Sequence, residues 1–111
     1  MTIQSLVEKL GLKPLSTFED REIAGVFVSD MLSDVMAGAK SGALWLTVQT
    51  HKSLVPAANL IDVAAVLITS GKAVPQDTID LATKYQIAIL SSELPTFELV
   101  GKLYALGLGN T

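Results

Sequence analysis

Ile3, Leu6, Val7 and Leu10 fall at i, i+3, i+4 and i+7, which sets all four on one face of a helix. Thr2 precedes that stripe as an N-cap and Gly11 follows it as a stop, so the spacing predicts a first helix. Lys13-Pro14-Leu15 then turns the chain, and the charged residues 17–22 lead into an apolar run at 23–28. Similar runs recur at 43–48, 64–69 and 87–90, each continuous instead of alternating, as strands covered on both faces require. Gly25 inside the first run marks a bulge or a close backbone approach. Helical patterns separate the runs: Met31, Leu32, Val35, Met36 and Ala39; residues 54–61; Ile79, Leu81, Ala82 and Tyr85; and residues 97–106.

Each connection between strands is about fourteen residues or longer and contains a helix, which excludes hairpins and meets the requirement of a parallel crossover. The predicted fold is α/β: a single three-layer α/β/α domain over residues 1–111, with a mainly parallel sheet of about four strands and a frayed tail at 107–111. At 111 residues the chain is long enough for one core. Half of the residues are hydrophobic and only 17% charged, so some apolar surface is expected to meet a partner.

The formal charge of −3 and the dispersal of seven lysines around the lone Arg21 argue against a nucleic-acid partner. With no cysteine the chain offers no disulfide, thiol nucleophile or thiolate metal site. No stretch is apolar for long enough to span a bilayer, and the start MTIQSLVEKL lacks the pattern of a secretory leader, so the expectation is a cytoplasmic protein without a membrane partner.

Candidate chemistry gathers where the strands end. In a parallel sheet Ser29-Asp30, Thr47 to His51, Thr69-Ser70-Gly71-Lys72 and Ser91-Ser92 would share one edge, where open α/β sheets bind ligands. Two readings stand for Ser29, Thr50 and Ser92: helix N-caps, or neighbours of free N–H groups that hold a phosphate or carboxylate. Two helix N-termini supply only about 2 kcal/mol, whereas millimolar affinity needs about 4, so a ligand would also lean on Gln49, His51 and Lys72. Asp30 and Asp34 stand four apart, as an acid pair or a Mg²⁺ site would, although acids in a first turn also complement the helix dipole. His51 is the only histidine, a loop hydrogen-bonding group or a titrating one. Gly71-Lys72 lacks the remainder of a phosphate loop, and no nucleophile, base and orienting group occur together; no catalytic residue, metal or cofactor is expected. Trp45 sits mid-strand and is read as buried.

The last helix is apolar over a wide arc. Phe97, Val100, Leu103 and Tyr104 either face a second subunit or are buried within one chain.

Asp20-Arg21-Glu22-Ile23, residues 28–37 (VSDMLSDVMA) and residues 46–51 (LTVQTH) resemble the DRTGG domain family over nearly the whole chain. Asp20-Arg21 matches the Asp-Arg pair, and Thr69-Ser70-Gly71 the Thr-Gly-Gly turn, with Ser70 in place of the middle glycine. The resemblance implies a fold like the N-terminal domain of HPr kinase/phosphorylase, without its kinase half, in a unit that senses phosphate or a metabolite. Such domains stand alone or beside CBS, phosphotransacetylase or dethiobiotin-synthetase-like domains, and some standalone forms look like accessory proteins of redox enzyme clusters. The leading expectation is a non-catalytic regulatory domain, a homodimer, binding a nucleotide or phosphorylated metabolite through Ser29, Asp30, Thr47, Gln49, Thr50, His51, Thr69, Ser70, Gly71 and Lys72. The alternative is a small interaction subunit of a larger enzyme with no ligand of its own.

Overall fold

The computed structural model describes residues 1–109; Asn110 and Thr111, the end of the expected frayed tail, lie outside the described residues. Helix α1 (Ile3–Leu10) forms as its pattern predicts: Thr2 Oγ1 accepts from Ser5 N–H, the chain closes at Gly11, and Ile3 and Leu6 are buried. Strand β1 (Lys13–Pro14) follows, then β2 (Gly25–Val28), α2 (Leu32–Gly38), β3 (Ala43–Thr47), α3 (Leu54–Ile61), β4 (Ala65–Ile68), α4 (Gln76–Lys84), β5 (Ala88–Ser91) and α5 (Thr96–Ala105).

The sheet has five strands in the order β1-β5-β4-β3-β2, one more than the sequence suggests. β2 to β5 are all parallel, and β1 runs antiparallel to β5 through Lys13↔Ser91 and Pro14↔Leu90. β1 escapes sequence reading because two residues are too few to carry a periodicity.

Each step from β2 to β5 moves one strand in the same direction, so crossovers of one hand deliver α2, α3 and α4 to one face. Trp45, Val66, Ile68 and Ile89 of the sheet pack there against Val35, Leu54, Val55, Ala58 and Ala82. Leu44, Leu46, Leu67 and Leu90 point the other way, onto Ile3 and Leu6 of α1 and Leu99 and Leu103 of α5. The central strands are buried on both sides, which explains their unbroken apolar runs. Because α4 leaves β4 toward one face and α5 leaves β5 toward the other, the loops diverge at the carboxyl ends of β4 and β5.

Candidate functional site

The carboxyl ends of the four parallel strands do share one edge, yet the expected site residues separate there into three groups. At the ends of β2 and β3, Asp30 Oδ1 accepts from Thr47 Oγ1 at 2.8 Å and from Val48 N–H at 2.9 Å. Thr47 Oγ1 in turn accepts from Gln49 N–H, and the Gln49 side-chain amide donates to the Asp30 carbonyl. Ser29 Oγ accepts from Met31 N–H, while Trp45, fully buried, donates its indole N–H to the Ser29 carbonyl. Ser29, Asp30, Thr47 and Gln49 thus bind one another and fasten two loops together. Thr47, 1% exposed, is closed to any ligand. Asp30 precedes α2 rather than sharing it with Asp34, so the acid pair expected on one helix is not formed.

Thr50 and His51 form the second group. The Thr50 carbonyl accepts from buried Thr78 Oγ1 of α4, which ties this loop to the next helix. His51 Nδ1 accepts from Ser53 N–H at 3.1 Å. A backbone amide can only donate, so the neutral ring carries its proton on Nε2, a donor that takes no protein partner among the described residues. His51 lines an open cleft of about 580 Å³ between the amino-terminal half of α3 and the outer face of α4, together with Lys52, Ser53, Pro56, Asp77, Asp80, Leu81 and Lys84. Two lysines and two aspartates share this cleft without an ion pair among them; the two ion pairs among the described residues are Met1 with Glu22 and Arg21 with Asp62. Asp80 accepts from the Gln76 side chain and Lys84 lies over the Tyr85 ring. Sequence reading missed seven of these residues, all but His51, although Asp77, Asp80, Leu81 and Lys84 stand at i, i+3, i+4 and i+7; the adjacency of α3 and α4 is what gives that face a meaning.

The third group is the turn after β4. Thr69 is buried and its hydroxyl meets Thr96 Oγ1 at 2.6 Å. Ser70 and Gly71 are both left-handed, at φ +63° and +65°. A serine there costs about 1 kcal/mol where glycine costs nothing, so the departure from the glycine pattern is accommodated rather than refused. Ser70 N–H donates to Leu94 O and Gly71 N–H to Ser92 O. The Glu93 carboxylate fills the space a side chain at Gly71 would need. The turn's amides therefore hold the β5–α5 loop and offer nothing to an anion; Lys72 alone projects as an exposed cation.

The capping reading changes in the same way. α2, α3 and α5 begin at Leu32, Leu54 and Thr96, three or four residues beyond Ser29, Thr50 and Ser92, too far on for those three to be their N-caps. Ser29 and Ser92 bind the amides two residues on, at Met31 and Leu94, as turn formers do. Thr50 does not cap α3, whose N-cap is Ser53.

Asp20 and Arg21 lie at the opposite edge of the sheet. Arg21 makes a two-pronged pair with Asp62, at 2.7 and 3.3 Å, beside the start of β4, and Ser41 Oγ also donates to Asp62. Hydrogen bonds from Arg21 and then Ser41 hold the Asp62 carboxyl below the usual carboxylate range, and the Asp62 bond raises Arg21. Asp20-Arg21 and Thr69-Ser70-Gly71 are thus separated by the length of the strands.

On α5, Phe97 is 87% exposed and Tyr104 61%, with Val100 beside them, whereas Leu103 is 1% exposed within the core. Leu103 is withdrawn from the expected interface because it projects toward the sheet with Leu99. Among the described residues no group of three or more His, Asp or Glu side chains gathers to hold a metal ion. No helix among them is long and apolar enough to cross a membrane.

No family model matches the chain, and no curated protein matches it. Among solved structures, the CBS and DRTGG domains of the regulatory region of Clostridium perfringens pyrophosphatase, complexed with the activator diadenosine tetraphosphate, match at a TM-score of 0.70 and 15% identity. The match covers 96% of this chain and 47% of that one, so the chain spans about half the length of the protein it resembles. A likeness at this identity speaks to architecture, and it supports the conclusion drawn from the sequence: the chain has a DRTGG-like α/β fold.

Proposed function

We propose that this chain is a non-catalytic regulatory module that binds a nucleotide or other phosphorylated metabolite at the carboxyl edge of its sheet, and that it acts as a homodimer in the cytoplasm. One observation carries the reading: a cleft of about 580 Å³ opens at that edge beside His51, with Lys52 and Lys84 as unpaired cations and Pro56 and Leu81 as an apolar floor. The floor suits a planar ring. The Nε2–H of His51 and the ammonium of Lys52 suit phosphate oxygens, and the Asp77 carboxylate suits sugar hydroxyls. The regulatory region of similar fold was solved with a nucleotide activator, which favours the same ligand class. Of the residues expected from sequence, His51 alone lines the cleft and contacts the ligand directly. Ser29, Asp30, Thr47, Thr50, Thr69, Ser70 and Gly71 shape the loops that present it.

The experiment is a thermal-shift series with AMP, ATP, diadenosine tetraphosphate and inorganic phosphate. A ligand present at ten times its Kd adds about 1.4 kcal/mol, or roughly 5–10 °C in Tm for a domain of this size. Lys52→Ala removes that rise while leaving the unliganded Tm unchanged, since its side chain is exposed; His51→Ala removes it too, with an unliganded stability lower by up to about 1 kcal/mol for the lost Ser53 N–H bond. A flat response across the series overturns the reading.

A second reading has its own observation. Phe97, Val100 and Tyr104 form an exposed apolar stripe on α5, on the face away from the cleft, and fit an accessory subunit that docks on a larger enzyme. Co-purification lost on Phe97→Asp, without any ligand response, supports that reading over the first.

A further inference from the structure

Phe97, Val100, Gly101 and Tyr104 stand at i, i+3, i+4 and i+7 on α5, and all four are exposed. Leu99 and Leu103 hold the helix to the core from a neighbouring arc, so that packing does not use the stripe. Gly101 sits mid-helix, where only proline is a poorer helix former, and a side chain built on it would meet nothing within 4 Å. No contact among the described residues calls for glycine there. Its effect is a notch in the middle of an otherwise bulky apolar stripe. The Tyr104 ring lies against Gly109, where it occupies the space a side chain would need, so one end of the stripe is fixed in advance. Glu98 and Lys102 flank the stripe on its solvent side, about 40° apart around the helix, and neither forms an ion pair among the described residues.

We infer that α5 packs antiparallel against α5 of a second copy of this chain, across a two-fold axis between Val100 and Gly101. The stripe is complementary to itself, and that selects the occupant. The axis sets Phe97 opposite the partner's Tyr104 at each end, aromatic on aromatic, and seats each Val100 in the notch at the partner's Gly101. The missing side chain lets the two helices approach toward the close end of the ordinary range of about 8–10 Å between axes. An antiparallel two-fold also keeps the charged flanks of both helices on one side of the seam. Glu98 then lies within one residue of the partner's Lys102 along the axis, about 1.5 Å of helix rise, and the symmetry makes that opposite-charge pair twice. The contact is at the small end for a specific interface, below about 1,200 Å², so a dissociation constant of roughly 10 µM to 1 mM is expected. The inference rests on the homodimer of the proposed function, to which it gives a seam, and is independent of any ligand.

The test is sedimentation velocity of the full chain from about 10 µM to about 1 mM, with Tm at about 5 µM, where the chain is monomeric, as the folding control. The chain shifts from monomer to dimer over the higher range. Phe97→Asp puts a charge into the seam and Gly101→Gln fills the notch; each stays monomeric throughout, and Gly101→Gln does so with Tm unchanged or raised, because glutamine is the better helix former. Glu98→Lys sets like charges across the seam and weakens association about tenfold, and adding Lys102→Glu restores it. A chain monomeric throughout overturns both the seam and the homodimer, and leaves the nucleotide thermal shift to be judged by itself. A dimer that survives Phe97→Asp and Gly101→Gln overturns the seam while the homodimer stands. A dimer lost in those two variants but indifferent to Glu98→Lys, or not restored by the double exchange, overturns the antiparallel pairing.

Discussion

Ser16→Ala probes a joint that no local pattern announces. Ser16 is 8% exposed; its Oγ donates to Ile87 O at 2.6 Å and accepts from Ile89 N–H at 2.8 Å. Leu15 N–H donates to Ile89 O beside it. Odd-numbered residues of β5 turn their backbone away from β4, so beyond the short β1 a single hydroxyl stands in for the strand that would otherwise satisfy them. Alanine removes both bonds and leaves a buried N–H and a buried carbonyl without their partner. Each orphan costs about 1–3 kcal/mol, and the carbonyl keeps a second lone pair, so the total is about 2–4 kcal/mol. For a domain of about this length that is a Tm lowered by roughly 10–20 °C. Thr17→Ala is the control: that exposed side chain makes no bond of its own, only its N–H donating to Thr83 Oγ1, and Tm stays within about 2 °C. Amide exchange adds a local readout, since the Ile89 N–H loses protection in the Ser16 variant. A Tm drop below about 3 °C with the Ile89 amide still protected refutes the reasoning.

The Arg21–Asp62 pair predicts a pH dependence of definite sign. Asp62 is lowered by its partners, so its stabilisation is complete above the ordinary carboxylate pKa of about 4 and is lost as pH falls through the lower folded value. Asp62→Asn, which tolerates the φ of +63° there, costs up to about 1 kcal/mol at pH 7 for a pair this exposed, and the cost vanishes in urea titrations near pH 2. Gly71→Ala meets both the left-handed backbone and the Glu93 carboxylate and lowers stability by about 1–2 kcal/mol; adding Glu93→Ala relieves the contact but not the backbone cost, so most of the loss persists in denaturant melts. On α5, Phe97→Asp leaves Tm unchanged within about 2 °C, whereas Leu103→Asp, in the core, abolishes the folded circular-dichroism signal.

The parts legible in the sequence are those with a repeating physical cause. α1 was readable to the residue because an apolar stripe, a capping threonine and a terminal glycine agree. The four parallel strands were readable because burial on both faces demands unbroken apolar runs, and Trp45 was correctly read as buried. β1 and the Ser16 joint were not, since each depends on partners more than seventy residues away. The N-caps at Ser29 and Ser92 were misassigned because both serines form turns before α2 and α5, which a serine in sequence cannot distinguish from a cap. The shared edge followed from parallel topology alone. What it presents did not: whether Asp30 or Gly71 N–H is free depends on neighbouring loops, and both are engaged. The cleft was illegible because its two walls come from separate helices whose outer faces read as solvated surface.

A nitrogen–proton correlation titration of the full chain with AMP, ATP and diadenosine tetraphosphate, raised to about 5 mM, tests the central claim most directly. The account predicts saturable amide shifts concentrated at His51, Lys52 and Ser53 and on the Asp77–Lys84 face of α4, with the Arg21–Asp62 edge silent. Spectra unchanged by every ligand, or shifts confined to that opposite edge, contradict it.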